Sequence, residues 1–120
     1  MNPLVNIPSS TISSSKVEGT NVYNLNNDKL GSIDDLVIDK TSGQVSYAAL
    51  EFGGFLGMGT DLYPLPWGQL KYDTEKDGYV VNVTKEQLDK APKYAKDDEP
   101  TYTDEYGRGV YDYYGTPWVR

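Results

Sequence analysis

The chain of 120 residues has no cysteine and no histidine. Disulfides, thiolate nucleophiles and zinc sites built on Cys or His are therefore excluded. Ser-His-Asp and Cys-His catalysis are excluded on the same ground. Positive charge is scarce as well: 11 Lys and Arg stand against 18 Asp and Glu, a formal net charge of −7. Nucleic-acid binding needs a concentrated cationic surface to neutralise phosphates, so this balance argues against it. It argues equally against docking to an anionic membrane through basic charge. No apolar run approaches the roughly 18 residues of a membrane span. The first 16 residues, with Pro3, Pro8 and many serines, have no apolar stretch of the kind a secretory signal carries. The expectation is a soluble, cytoplasmic chain of one domain, with no cofactor.

What is present is a set of short apolar segments punctuated by turn residues. Residues 1–15 read as a flexible arm, 16–92 as the folded domain and 93–120 as a tail. Strands are expected near 19–23, 30–39, 44–52, 62–67, 69–73 and 79–83. Asn24-Leu25-Asn26-Asn27-Asp28 reads as a turn, because Asn and Asp bond their own backbone and tolerate left-handed geometry. In 30–39 the alternation of Ile33, Leu36 and Ile38 breaks at Asp34-Asp35, and a bulge there restores register. Asp39 to Gly43 is a hairpin connection. In the return strand Ala48, Leu50 and Phe52 are expected in the core, with Val45, Tyr47, Ala49 and Glu51 on the outer face, since that choice leaves Glu51 in water. Pro64 and Pro66 mark 62–67 as an edge-type strand. Thr84-Lys85-Glu86-Gln87 has the spacing of a helix-capping box, Leu88 and Ala91 face the core, and Pro92 ends the helix. Beyond Lys93 no periodicity is evident. The class expected is mainly β: a small barrel of five or six short antiparallel strands with one short C-terminal helix and an aromatic tail.

Three groups of residues resemble known sites superficially. Gly53, Gly54, Gly57 and Gly59 suggest a phosphate loop, but the helix N-terminus and lysine that such loops need are missing. Asn24, Asn26 and Asp28 have the first spacings of a calcium loop, yet Lys29 and Asp35 stand where glycine and glutamate belong. Asp34 and Asp35 adjoin along a strand and so point to opposite faces, which keeps them from sharing a proton or metal. Apolar and aromatic surface remains. Phe55, Leu56 and Met58 form a glycine-spaced apolar tip that can dock a partner. The tail holds six of the 11 tyrosines, and Tyr111, Tyr113, Tyr114 and Trp118 are candidate contact residues, whether on the same barrel or on a second subunit.

Several of these segments together resemble the PRC-barrel family. They are Gly31-Ser32-Ile33-Asp34-Asp35-Leu36-Val37-Ile38-Asp39, the stretch 43–47, Phe52-Gly53-Gly54-Phe55-Leu56-Gly57, Pro66-Trp67 with Leu70, Gly78-Tyr79-Val80-Val81, and Lys85-Glu86-Gln87-Leu88. The likeness covers roughly 16–92 and is greatest to stand-alone bacterial members, which often carry the same Gly-Gly-Phe-Leu-Gly loop and an aromatic tail such as Tyr111-Asp112-Tyr113-Tyr114-Gly115. The family includes the cytoplasmic domain of the photosynthetic reaction-centre H subunit and the C-terminal domain of a ribosome-maturation factor. The chain shows neither the membrane helix of the first nor the second barrel of the other. The resemblance implies a docking module with no catalytic residue set to carry over. The expected function is thus a non-enzymatic protein–protein interaction module that self-associates, a dimer first. The alternative is a small-molecule or ion-binding domain using the barrel mouth.

Overall fold

The hairpin at 29–52 shows how local chemistry sets the frame. In the computed structural model, which describes residues 10–52 and 61–118, strand β2 (Lys29–Ile38) turns back into β3 (Val45–Phe52). Asp39 Oδ1 accepts the Thr41 and Ser42 amides, both at 2.9 Å. Gly43 has φ +79°, a left-handed conformation that only glycine adopts without strain, and its amide closes the turn on the Asp39 carbonyl at 2.8 Å. The bulge expected at Asp34-Asp35 is present. Ile33 pairs with Leu50 and Asp35 with Ala49, so Asp34 is the extra residue. The Asp35 carboxylate accepts the Leu36 amide at 2.9 Å, while Asp34 pairs with Lys96 at 2.9 Å. The two carboxylates do separate work, as their adjacency in the strand requires.

The remaining strands are β1 (Asn21–Tyr23), β4 (Asp61–Pro66), β5 (Lys71–Asp73), β6 (Gly78–Val80) and β7 (Tyr94–Ala95). All seven strands of the described residues belong to one sheet in the order β5-β6-β1-β2-β3-β4-β7. Two features depart from the expected five or six antiparallel strands. The seventh strand, β7, comes from the tail and pairs with the start of β4. The β1–β6 pair is parallel. Both β6 neighbours are satisfied by this: a hairpin fixes it antiparallel to β5, whereas its pairing with β1 joins segments far apart in the chain, and no tight turn dictates the direction.

The sheet is strongly curled. Trp67, directly after β4, and Tyr79 of β6 have ring centroids 5.5 Å apart. Those strands are four places apart in the sheet, about 19 Å if it were flat at the usual 4.8 Å spacing. Curling brings Val22, Ile33, Leu50, Leu65, Val81 and Leu88 into one buried cluster. Helix α1 (Ser14–Val17) straddles the expected arm boundary and contributes buried Val17. Helix α2 (Lys85–Asp89) starts as its sequence indicates, with Thr84 Oγ1 accepting the Gln87 amide at 3.0 Å. Leu88 and Ala91 are buried as expected. Among the described residues no helix is long and apolar enough to cross a membrane.

The strand-face assignment in β3 needs correction. Ala48 and Leu50 are buried, but so are Tyr47 and Ala49, at 1% and 0% exposure. Phe52, expected inside, is only half-buried and lies edge-on to Tyr63, with ring centroids 5.4 Å apart. A strand buried on both sides needs a second covering layer, and the tail provides it. Helix α3 (Asp104–Tyr113) lies on this layer and is the largest element that the sequence reading missed.

Candidate functional site

The start and stop signals of α3 are in the sequence, although two internal glycines weaken the helical pattern between them. Thr103 caps it, its hydroxyl accepting the Tyr106 amide at 3.1 Å, and Asp104 and Glu105 occupy the first turn. At the other end the Gly115 amide donates to the Asp112 carbonyl and the Thr116 amide to the Tyr111 carbonyl. With Gly115 at φ +68° this is a Schellman ending. Gly107, Val110, Tyr111 and Tyr114 follow the i, i+3, i+4, i+7 spacing of one helix face.

That face seats the tail on its own barrel. Tyr47 is the hub: its ring lies 5.9 Å from Trp118 in a nearly parallel stack, 5.8 Å from Tyr111 and 6.1 Å from Tyr106 edge-on, and 5.9 Å from Tyr102. Edge-to-face and offset pairs of this kind add about 0.5–1.5 kcal/mol each beyond area burial. Three hydrogen bonds pin the assembly. The Tyr111 hydroxyl donates to the Ser46 carbonyl at 2.6 Å. The Tyr113 hydroxyl donates to the Gln87 carbonyl of α2, and the Gln69 amide donates to the Thr116 hydroxyl.

The candidate contact residues therefore divide. Tyr111 and Trp118 meet each other, with ring centroids 4.8 Å apart, over β3. Tyr113 and Tyr114 meet, 5.1 Å apart, and Tyr113 reaches α2. Tyr114 is buried, and the other three are half-buried. Phe55, Leu56 and Met58, with the glycine-rich loop, lie outside the described residues. In the Asn24 turn, Asn24 Oδ1 accepts the Asn26 and Asp28 amides, each at 2.9 Å. This is the polar turn expected there, its side-chain oxygen committed to backbone.

The two interior glycines of α3 make a paired test. A Cβ on Gly107 would lie 2.6 Å from the Trp118 ring, while one on Gly109 meets nothing within 4 Å. Gly109→Ala is expected to raise stability by about 1 kcal/mol through helix propensity. Gly107→Ala should lower it, because Trp118 must leave its place. Urea unfolding of both variants reads the difference, and equal shifts would contradict the seating of Trp118.

Hydroxyl satisfaction gives a second pair. The Tyr106 hydroxyl is buried with no hydrogen-bond partner among the described residues, whereas the Tyr111 hydroxyl is bonded. Tyr106→Phe should be neutral or stabilising by up to about 1 kcal/mol, and Tyr111→Phe should cost about 1 kcal/mol. The same urea curves measure both.

Burial raises the hydroxyl pKa of Tyr102, Tyr106 and Tyr114 well above the ordinary tyrosine value, and hydrogen bonding with Tyr94 adds to the rise at Tyr102. A folded-state pKa above the unfolded one contributes stability that is full below the unfolded value, near 10, and is lost as pH rises beyond it. Each such tyrosine adds a slope of at most about 1.4 kcal/mol per pH unit in that range. Melting temperature should hold to about pH 9.5 and then fall steeply, with the last part of the tyrosinate absorbance appearing together with unfolding. Tyrosinate absorbance that saturates while the fold is intact would refute this.

Beside the hub a cleft of about 540 Å³ opens between the β2–β3 hairpin and the segment 99–102. Tyr47, Tyr102 and Trp118 supply its aromatic side, and Asp35, Asp39 and Glu99 its carboxylates. Tyr102 and Glu99 are held together by a hydrogen bond of 3.1 Å. Sequence reading does not find this site, because its residues run from 35 to 118 and share no motif. A second groove of similar volume lies along β5, where Tyr72 and Ile12 are 45% and 52% exposed. Among the described residues no group of three or more carboxylates is arranged to hold a metal ion.

Comparison with known proteins places this geometry in a family. Residues 10–88 match the family model described as "PRC-barrel domain". The chain is also similar to a protein of Deinococcus radiodurans described as uncharacterized, at 25% identity over 79 residues. That match takes in 66% of this chain and 28% of the relative's length. The matched region ends within α2, so β7, α3 and the aromatic layer lie beyond it.

Proposed function

Because the chain belongs to the PRC-barrel domain family, we propose that it is a non-enzymatic docking module that associates with copies of itself. The fold suits a protein-interaction module in general. Self-association is the finer reading, and the observation that supports it is the β5 edge. This strand ends the sheet, its outer side has no partner strand among the described residues, and Tyr72 and Ile12 stand exposed beside it. A sheet edge offers ready main-chain donors and acceptors, and exposed aromatic area next to it adds burial to the pairing. Phe55, Leu56 and Met58 are a second candidate contact in the same reading. A composition without His or Cys favours binding over acid–base or thiol chemistry. A cytoplasmic setting and a protein partner rather than nucleic acid complete the proposal, resting on the cysteine-free, acidic sequence.

Light scattering on a sizing column, over a range of concentrations, tests it. The full chain is expected to reach dimer mass at high concentration. Tyr72→Lys with Ile12→Lys should hold it monomeric while the chain still melts cooperatively, at a temperature lowered by the lost Tyr72 contacts with Asp77 and Tyr79, and Phe55→Ser with Met58→Ser tests the loop separately. A full chain that is monomeric at every concentration would overturn self-association.

A further inference from the structure

We propose that the cleft between the β2–β3 hairpin and the segment 99–102 receives an arginine side chain of a partner protein. The inference rests on reading the chain as a docking module and names the chemistry that one of its faces takes. The first observation is shape: about 540 Å³ falls within the usual range of built binding sites. The second is the lining. Tyr102 and Trp118 are half-buried, so each keeps surface to offer the cleft, and both pack on Tyr47 beneath them. Their positions are fixed before any ligand arrives, which lowers the ordering cost of binding. An aromatic wall of this kind attracts a cation to its ring faces.

The third observation is charge. Among the described residues that line the cleft, three carboxylates, Asp35, Asp39 and Glu99, stand against one lysine, Lys40. Asp35 uses Oδ1 to accept the Leu36 amide, and Glu99 uses Oε2 to accept the Tyr102 hydroxyl, so both carboxylates are held in place by the fold. Their field reaches into the aromatic layer: the Tyr94 hydroxyl is raised first by burial, and Glu99, Asp35 and Asp34 add to the rise. Asp34 itself is paired with Lys96. The whole chain, at net −7, draws basic partners toward it. Arginine fits better than lysine. Its planar guanidinium stacks on aromatic rings, bonds carboxylates in a bidentate fork and is less strongly hydrated than an ammonium.

The test is a titration of the full isotope-labelled chain with the peptide Gly-Gly-Arg-Gly-Gly, read at the Trp118 indole N–H by NMR. A saturable shift is expected. It should be absent with citrulline in place of arginine, and lysine should bind more weakly. Asp35→Asn with Glu99→Gln should weaken arginine binding at least tenfold, while both side chains still accept their present hydrogen bonds. No saturable shift, an equal response to citrulline, or an unchanged affinity in the double variant would overturn the assignment. Light scattering on the same samples keeps the two readings apart. Self-association with no arginine response sinks the cleft alone. A monomer that binds the arginine peptide through the cleft upholds the cleft and removes only the self-association.

Discussion

A chain ending at Pro92 is expected not to form the native barrel. Removing 93–120 takes away β7 and α3, and with them buried Val110 and Tyr114. It also uncovers Tyr47, which is 1% exposed in the full chain and packs on Tyr102, Tyr106, Tyr111 and Trp118. Full burial of a large apolar side chain contributes about 1.5–3 kcal/mol. Losing Val110, Tyr114 and the cover over Tyr47 therefore costs about 5–9 kcal/mol, which reaches the whole stability of an ordinary domain, about 5–15 kcal/mol. The truncated chain should show a collapsed near-ultraviolet circular dichroism spectrum, bind a hydrophobic dye and lose cooperative melting. A milder variant checks the cause: Val110→Ala should cost about 2 kcal/mol with the fold intact. If the truncated chain melts cooperatively with a native spectrum, the tail is an accessory and the barrel holds without a cover over Tyr47. The family match ends at residue 88, so this result bears on how far the chain depends on what lies beyond its family domain.

Gly31→Ala is the point change expected to do most damage. Gly31 pairs with Phe52 across the β2–β3 ladder. A Cβ there would fall on the Glu51 carbonyl oxygen, deep inside contact distance, with the Phe52 Cα close behind. These are backbone atoms of the central hairpin, so no side chain can swing away to make room. Overpacking a core by a methyl group costs about 1–3 kcal/mol and more where nothing relaxes. A loss of at least about 3 kcal/mol is expected, which corresponds to a fall in Tm of about 12 °C or more. Gly109→Ala, the same chemical change where a Cβ meets nothing, is the control. A Gly31→Ala protein that melts within a few degrees of the parent would show that the hairpin strands part readily enough at Gly31 to admit a methyl group.

Local chemistry was legible in the sequence wherever it acts over a few residues. Asp39 and Gly43 announced the hairpin, Asp34-Asp35 the bulge, Asn24 its turn and Thr84 the cap of α2, because each bonds the backbone within four positions of itself. Hidden periodicity explains what was missed. Gly107 and Gly109 interrupt the helix signal of α3, and the i, i+3, i+4 face that Gly107 shares with Val110, Tyr111 and Tyr114 is filled largely by tyrosines, which read as surface as easily as core. Gly107 is there because the Trp118 ring occupies the space of its Cβ, and that reason is invisible until the chain has turned back on itself.

The sequence by itself determined the class, the hairpin frame and the chemistry open to this protein, since composition and near-neighbour hydrogen bonds need no tertiary partner. Only the tertiary structure decided that Tyr47 and Ala49 are core, that β1 and β6 run parallel, and that carboxylates from 35, 39 and 99 share a cleft with Tyr102 and Trp118. Alternation in a strand says which side chains share a face, but not whether that face meets water. The answer came from a tail more than fifty residues downstream along the sequence.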